Sequence, residues 1–119
     1  MKLLSPRALL HAEGLAVLAA ACIAYRHLGG SWTQFAVLFL APDLLMLGYL
    51  FGAGTGACVY NTGHTYVAPL LLGALAYGVV MPSLYPLCAI WAAHIGFDRL
   101  LGYGLKYGTA FRDTHLARV

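Results

Sequence analysis

The sequence predicts an all-α integral membrane protein, a bundle of four transmembrane helices with both termini in the cytoplasm. Of its 119 residues, 61% are hydrophobic and only 9% are charged, whereas soluble domains carry about a quarter charged residues. Four apolar stretches each approach or exceed the roughly 20 residues that a helix needs to cross a bilayer. A soluble globule of this size would need a wetted surface that so few charges cannot provide.

The ends of the four helices follow from the residues between the apolar stretches. Pro6 suits the first turn of helix one, and Trp32 suits an anchor at the membrane interface. The glycine-rich run 52–56 and the proline-rich run 81–86 separate the later stretches. We expect a single domain with helices at residues 8–28, 33–51, 57–80 and 84–107, followed by an interfacial basic tail at 108–119.

Orientation follows from the lysine and arginine residues, which cluster before the first helix and after the last one. An even number of spans places both ends on one side of the membrane, and the positive-inside rule makes that side cytoplasmic. Arg26, in the first turn, is a single exception. A secretory signal peptide is the alternative for the first stretch, but Glu13 interrupts its apolar region.

Cysteines and net charge exclude several classes of protein. The three cysteines are isolated, one in each of three apolar stretches, and lack the paired spacing of a disulfide framework or a cysteine-based zinc site. The net charge of +3 is too small, and too concentrated at the two ends, to indicate nucleic-acid binding. The expected partner is the lipid bilayer, and a bundle this small is expected to form a homo-oligomer.

Two prolines interrupt the second and third predicted helices. Pro42 cannot donate a backbone hydrogen bond and frees the carbonyl of Leu38, and Pro69 does the same at Thr65. A freed carbonyl in hydrocarbon needs a partner. We therefore expect a locally polar kink at Pro42 and Asp43 that faces protein rather than lipid.

The predicted fourth helix carries ionisable residues within an apolar sequence. His94 and Asp98 are four residues apart and therefore share a helix face. A charged residue at membrane depth is costly and indicates a functional site by default. Arg99 could pair with an acidic residue, but for Arg99 and Lys106 we expect that the long side chains extend to the cytoplasmic interface and fix the orientation.

Three further ionisable residues, Glu13, Asp43 and His64, lie in the other predicted helices. Counting the helical rise from the cytoplasmic ends places Glu13 roughly 8 Å deep and His64 and Asp98 about 10 Å deep. Asp43 and His94 come to about 15 Å. Because all five fall in the cytoplasmic half, we expect their side chains to converge on one pocket.

Imidazoles and carboxylates that converge in this way are the ligand types of a divalent metal ion such as zinc, manganese or iron. An open coordination position would activate bound water near neutral pH, and Glu13 is the candidate general base. Haem, held by two axial histidines, is an alternative that the neighbouring carboxylates disfavour. The expected ligands are Asp43, His64, His94 and Asp98, and the expected supporting residues are Asn61, Arg99, Lys106 and His115.

Several longer motifs resemble an uncharacterised bacterial family of multi-pass membrane proteins, domain of unknown function 4260. The motifs are Glu13-Gly-Leu-Ala, Ala41-Pro42-Asp43, Tyr60-Asn61-x-x-His64-Thr65-Tyr66, His94-Ile-Gly-Phe-Asp98-Arg99 with its continuation to Tyr107, and Thr114-His115-Leu116. The similarity covers nearly the whole chain. It implies a small multi-pass membrane protein and supplies no activity.

A weaker resemblance lies in the order Pro-Asp, His-Thr and His-x-x-x-Asp, which is similar to the membrane-bound metal-dependent hydrolases of the bacterial inner membrane. It implies an inner-membrane location and a ligand set of Asp43, His64, His94 and Asp98. The chain has Leu45 where that family has a second aspartate, and it lacks the arginine and serine around His-Thr. These departures argue against a two-metal site and against hydrolysis.

Three functions follow as hypotheses. The first is a metal-dependent enzyme, such as a hydrolase, that acts on a lipid-like substrate from the cytoplasmic leaflet. The second is a transporter of protons or metal ions, although few ionisable residues lie in the outer half. The third is a structural subunit whose polar cluster only fixes helix packing. Interhelical polar contacts contribute about 0.6 kcal/mol each, whereas a charge at the bilayer centre costs at least about 2.5 kcal/mol, which disfavours the third.

Overall fold

Helices make up most of the chain over residues 4–119, the part that this computed structural model describes. That range holds no β-strand, only an isolated bridge between Lys106 and Thr114, so the all-α class is confirmed. In chain order the elements are α1 (Pro6–His27), α2 (Trp32–Leu38), a 3₁₀ segment (Ala41–Phe51), α3 (Ala53–His64), α4 (Val67–Gly78), a 3₁₀ turn (Pro82–Leu84), α5 (Tyr85–Leu101) and α6 (His115–Arg118).

Helices α1 and α5 pack along one another and form the scaffold. The side chain of Ser5 caps α1 by accepting from the backbone N–H of Ala8 at 3.2 Å, and Pro6 occupies the first turn. Gly14 and Gly96 face each other where the two backbones come closest. A Cβ on Gly14 would lie 2.7 Å from the Gly96 carbonyl oxygen, and the reverse distance is also 2.7 Å. Only glycine permits this approach, which sets the position of α5.

The second predicted helix, at residues 33–51, is divided into two parts. α2 ends at Leu38, and the chain continues from Ala41 to Phe51 as a 3₁₀ helix of 11 residues. Such runs rarely exceed three or four residues, because their hydrogen bonds have poorer geometry than those of an α-helix. Pro42 stands at the start of the segment, where its missing N–H costs little. The change of helix type places Asp43 in the first turn of the 3₁₀ segment, at the predicted kink.

In place of one helix at residues 57–80, the structure has α3 and α4. The break falls at Thr65, whose backbone is extended (φ −101°, ψ 141°), and Tyr66. Pro69 lies in the first turn of α4, where a proline is tolerated. The break makes His64 the last residue of α3, with its carbonyl left without an intrahelical partner.

The last predicted helix ends at Leu101 rather than at residue 107. Gly102 adopts a left-handed conformation (φ 97°) that terminates α5, and the Tyr103 N–H donates to the Asp98 carbonyl at 2.8 Å. The chain beyond it folds back as a short hairpin-like segment that ends in α6. Leu116 in α6 is only 2% exposed, and Arg7 donates to its carbonyl at 3.2 Å. The tail therefore packs against the body of the protein.

Two helical stretches, Pro6–His27 and Trp32–Phe51, are long and apolar enough to span a membrane, and Val67–Gly78 is a shorter apolar helix. Large apolar side chains cover much of the described surface, among them Leu50 and Phe51, each 80% exposed. This is weak evidence for a membrane protein. The expectation of four spans with cytoplasmic termini stays a prediction.

Candidate metal centre

The structure brings together the four residues that the sequence predicts as ligands. Asp43 comes from the first turn of the 3₁₀ segment, His64 from the end of α3, and His94 and Asp98 from consecutive turns of α5. One potential ligand atom from each residue lies within 4.8 Å of those of the other three. Both imidazoles are buried, and the carboxylates are partly exposed.

Five of the six separations between these atoms are close to the edges of a small tetrahedron, and the sixth, between the two carboxylates, is within 4.8 Å. Asp43 Oδ1 lies 3.1 Å from His64 Nε2 and 3.2 Å from His94 Nε2. Asp98 Oδ2 lies 3.2 Å from His94 Nε2 and 3.7 Å from His64 Nε2, and the two Nε2 atoms are 3.2 Å apart. Ligands bound tetrahedrally to zinc at about 2.0–2.2 Å lie roughly 3.3–3.6 Å from one another. Five separations therefore lie near the zinc values, and the four residues could hold a metal ion.

The tautomer of His64 follows from its surroundings. Its Nδ1 lies 2.8 Å from the carbonyl oxygen of Tyr60, which only accepts, so Nδ1 donates. The ring also stacks on Tyr60, with centroids 3.7 Å apart and planes 5° apart. In the neutral ring Nε2 then carries only a lone pair, aimed at the other ligand atoms. A backbone carbonyl that orients the imidazole is typical of metal-binding histidines.

The ring of His94 is held by packing against two other rings. Its ring is fully buried and lies edge-on against Phe39 and His64, at centroid distances of 5.5 and 5.1 Å. Nδ1 has no hydrogen-bond partner among the described residues. The position of Nε2 is therefore set by α5, which also carries Asp98 one turn later.

Arg99 turns inward, contrary to the expectation that it extends to the interface. Its Nη2 donates to the His64 carbonyl at 3.1 Å, and the guanidinium lies 5.3 Å from the centre of the Tyr66 ring. Trp91 Nε1 donates to the carbonyl of Gly63 at 2.6 Å. These donors satisfy carbonyls that the end of α3 leaves free, and the arginine charge suits a helix C-terminus. Both residues thereby fix the helix end that presents His64.

Lys106 is also buried rather than at the interface, with 7% exposure. Asn61 pairs with its backbone, donating to the Lys106 carbonyl at 2.8 Å and accepting from its N–H at 2.7 Å. The ammonium donates to the Phe111 carbonyl at 2.8 Å and lies 3.6 Å from the centre of the Phe111 ring and 4.6 Å from that of Tyr60. Aromatic faces and a carbonyl replace water around this charge.

His115 holds the tail and is not one of the four converging residues. Its Nδ1 accepts from the N–H of Leu105 at 2.8 Å, and its own N–H donates to the Leu105 carbonyl at 2.9 Å. The ring lies against Gly104, where a Cβ would come within 2.5 Å of Nδ1. Burial lowers the pKa of His115, and the charge of Arg99 acts in the same direction.

Glu13, the candidate general base, does not join the cluster. It is exposed on α1 and is absent from the group of potential ligands. The side of α1 that meets α5 is the side of Gly14. One residue is a rotation of about 100° on a helix, so Glu13 lies on a different face.

A cavity of about 250 Å³ adjoins the cluster on the side of its two carboxylates. The sequence did not predict that Tyr60, Tyr103 and Phe111 would line this cavity, or that Trp91 would lie beside the cluster. Tyr60 and Trp91 carry a usable signal, since they lie four and three residues before His64 and His94 on the same helix faces. Tyr103 and Phe111 follow the end of α5, where no helical period applies. The cavity is lined by Asp43, Met46, Tyr60, Asp98, Tyr103, Lys106 and Phe111.

In the comparison with known proteins, the chain matches one family, whose description assigns no activity. A model of the family described as domain of unknown function DUF4260 matches residues 7–119. No curated protein and no solved structure matches the chain.

Proposed function

The chain belongs to the DUF4260 family, and we propose that it is a membrane protein that binds one divalent transition-metal ion. The ligands are Asp43, His64, His94 and Asp98. The observation that carries the proposal is the convergence of four potential ligand atoms, five of whose six separations are 3.1–3.7 Å and the sixth within 4.8 Å.

Charge supports this reading of the cluster. Two buried imidazoles and two carboxylates carry a net charge of about −2 when the histidines are neutral, and such a charge is costly in a low-dielectric surrounding. A divalent cation brings the sum to zero. Zinc suits the set best, because it accepts nitrogen and oxygen ligands in a tetrahedron, whereas manganese and iron favour more ligands.

The surface of the molecule supports a location in the bilayer. The two candidate spans, α1 and the stretch formed by α2 with the 3₁₀ segment, carry many exposed apolar side chains. Leu44, Leu47 and Leu50, each more than 60% exposed, recur every three residues along the 3₁₀ segment and so form one continuous apolar stripe. In a bilayer, lipid chains cover such a stripe, so its apolar side chains are not exposed to water. We place the protein in the inner membrane, as a multi-pass protein.

The activity that we propose is metal-dependent hydrolysis of a lipid-like substrate. When bound, a divalent ion supplies Lewis-acid polarisation of a substrate oxygen and lowers the pKa of water. His64 and His94 hold the buried side of the site. Asp43 and Asp98 line the cavity, and each keeps a second carboxylate oxygen that is free to accept a proton from water. Glu13 has no part in this scheme.

A second candidate, a structural metal site, is favoured by one observation. Four protein ligands fill a tetrahedron, as in structural zinc sites, whereas catalytic zinc sites keep one position open. The two candidates predict the same metal content and differ in hydrolytic activity. For catalysis, either Asp43 or Asp98 must leave the metal ion and turn toward the cavity, which opens a coordination position.

Elemental analysis of the protein purified in a neutral detergent tests the proposal. We expect about one zinc per chain in the wild type. In His94→Ala and Asp98→Asn we expect less than about one tenth of that amount, because the three remaining ligands bind the ion far more weakly than four. His27→Ala is the matched control, since His27 is an exposed histidine at the end of α1. A metal-free wild type, reconstituted with zinc and still empty after desalting, refutes the proposal.

A further inference from the structure

The cavity beside the candidate metal centre combines a cation with the two candidate carboxylate ligands. Lys106 lines the cavity together with Asp43 and Asp98. Its ammonium has three donors, and the described residues supply one hydrogen-bond acceptor, the Phe111 carbonyl. No carboxylate of the described residues lies within ion-pairing distance of Lys106.

Charge balance around the cavity changes when the metal site is filled. Without an ion, Asp43 and Asp98 offset the positive charge of Lys106 across the cavity. A divalent ion neutralises both carboxylates and leaves the charge of Lys106, a residue only 7% exposed, without an offsetting carboxylate. An uncompensated buried cation is unfavourable unless an anion joins it.

We propose that this cavity binds an oxyanion of the phosphate class, with one edge against the ammonium of Lys106 and the other toward the metal ion. The inference rests on the proposed metal site and names the recognition group of its substrate. Lysine recognises phosphate as a point charge. The phosphate ester of a lipid headgroup and free inorganic phosphate share this chemistry.

The size of the cavity limits what enters it. About 250 Å³ is below the roughly 300–1,000 Å³ of pockets that enclose a whole drug-sized ligand. A phosphate group with a few neighbouring atoms fits, and acyl chains do not. Tyr103, 57% exposed, and Phe111, 46% exposed, form an apolar rim along which the remainder of a lipid can lie.

Anion binding should therefore depend on both the metal and the lysine. Calorimetry on the zinc-loaded full-length protein in neutral detergent, with inorganic phosphate and with dioctanoyl phosphatidic acid as probes, measures this dependence. We expect binding to the zinc-loaded protein, and at least about tenfold weaker binding to the zinc-free protein and to Lys106→Met. Methionine keeps the apolar contact with Tyr60 and Phe111 and removes the charge.

Two controls separate the role of Lys106 from general charge and from misfolding. Arg112→Met removes an exposed cation next to Phe111 and should leave the affinity unchanged, and Lys106→Arg should retain binding. Zinc content, measured on every variant, shows whether the centre has formed. Dioctanoylglycerol, which lacks the phosphate, should not bind.

The outcomes distinguish this inference from the proposed function. Full zinc content in Lys106→Met with unchanged phosphate affinity overturns the inference and leaves the metal site standing. Absence of zinc from the wild type overturns both. Tighter binding of phosphatidic acid than of inorganic phosphate identifies a lipid headgroup as the ligand, the reverse order identifies the free anion, and both orders support the phosphate site.

Discussion

The Nε2 atoms of His64 and His94 lie 3.2 Å apart, although the two residues belong to different helices. Nδ1 of His64 donates to the Tyr60 carbonyl, so its neutral ring presents a lone pair to its neighbours. The carboxylate oxygens Asp43 Oδ1 and Asp98 Oδ2 lie 3.1 and 3.7 Å from His64 Nε2. Lone pairs this close repel unless a proton or a metal ion lies between them. A proton shared between these groups or a bound cation removes that repulsion, and the metal site proposed above supplies the cation.

We predict that a chelator destabilises the wild-type protein. Removing an ion that binds only the folded state lowers stability by an amount that grows with metal affinity, about 4 kcal/mol when the free metal is a thousand times its Kd. Melting should be followed by circular dichroism in detergent, with and without EDTA. His64→Gln should melt at one temperature under both conditions. An EDTA shift that persists in this variant would place the stabilising ion elsewhere.

A second prediction concerns Asn61 and the loop that carries Lys106. Asn61→Leu removes both hydrogen bonds to the Lys106 backbone and should lower the free energy of unfolding by about 1–3 kcal/mol, because two backbone groups lose their partners. The loop should also become accessible, which limited proteolysis after Lys106 would detect. Thr62→Val, at an exposed neighbouring position whose hydroxyl bonds within its own helix, is the control. Equal cleavage in both variants would show that Asn61 does not hold the loop.

The convergence of Asp43, His64, His94 and Asp98 could be predicted because helical period and rise carry the relevant information. His94 and Asp98 share a face by their spacing alone, and the rise per residue brings Asp43 and His64 to similar depths. Depth says nothing about rotation around a helix axis. The depth estimate therefore placed Glu13 with the other four residues. In the structure α1 approaches α5 through Gly14, which leaves Glu13 on another face of α1.

The positions of Arg99 and Lys106 could not be predicted, because a long cationic side chain has two ways to satisfy its charge. Water at the interface is one, and carbonyls and aromatic rings of the protein are the other. The second became available only through tertiary structure. The helix break at Thr65 leaves the His64 carbonyl free for Arg99, and the folded-back tail brings Phe111 to Lys106.

We predict that the attachment of the tail weakens as the pH falls. Burial holds the pKa of His115 below its ordinary value of 6.5, so the folded state disfavours the protonated ring. The stabilisation is complete above about pH 6.5 and is lost as the pH falls through the folded pKa. Protonation also removes the acceptor for the Leu105 N–H. The protection of that amide, which is its intrinsic chemical exchange rate divided by its observed rate, should decrease between pH 7 and pH 5.

Asp113, a second titratable residue in the tail, should not contribute to this pH dependence. Hydrogen bonds from Arg118, and then from Thr109, lower its pKa to about 2. Its contribution is present above its ordinary value of 3.8 and is lost only as the pH falls toward 2, so it does not change between pH 7 and pH 5. In His115→Gln, exchange at Leu105 should no longer depend on pH beyond the intrinsic chemical rate. A persistent dependence in that variant would assign the transition to another group.

The last prediction concerns the approach of α1 to α5, which positions His94 and Asp98. In Gly14→Ala the added Cβ would lie 2.6 Å from the backbone nitrogen of Leu100, and backbone atoms cannot move aside as a flexible side chain does. The helices must separate, at a cost of about 1–3 kcal/mol or more.

Gly54→Ala is the matched control, because nothing lies within 4 Å of its added Cβ. There alanine should raise stability by roughly 0.5–1 kcal/mol, since it favours the helix. Thermal melting of both variants, with zinc content as a second measurement, tests the contrast. Equal melting temperatures would mean that the glycine contact does not set the position of α5.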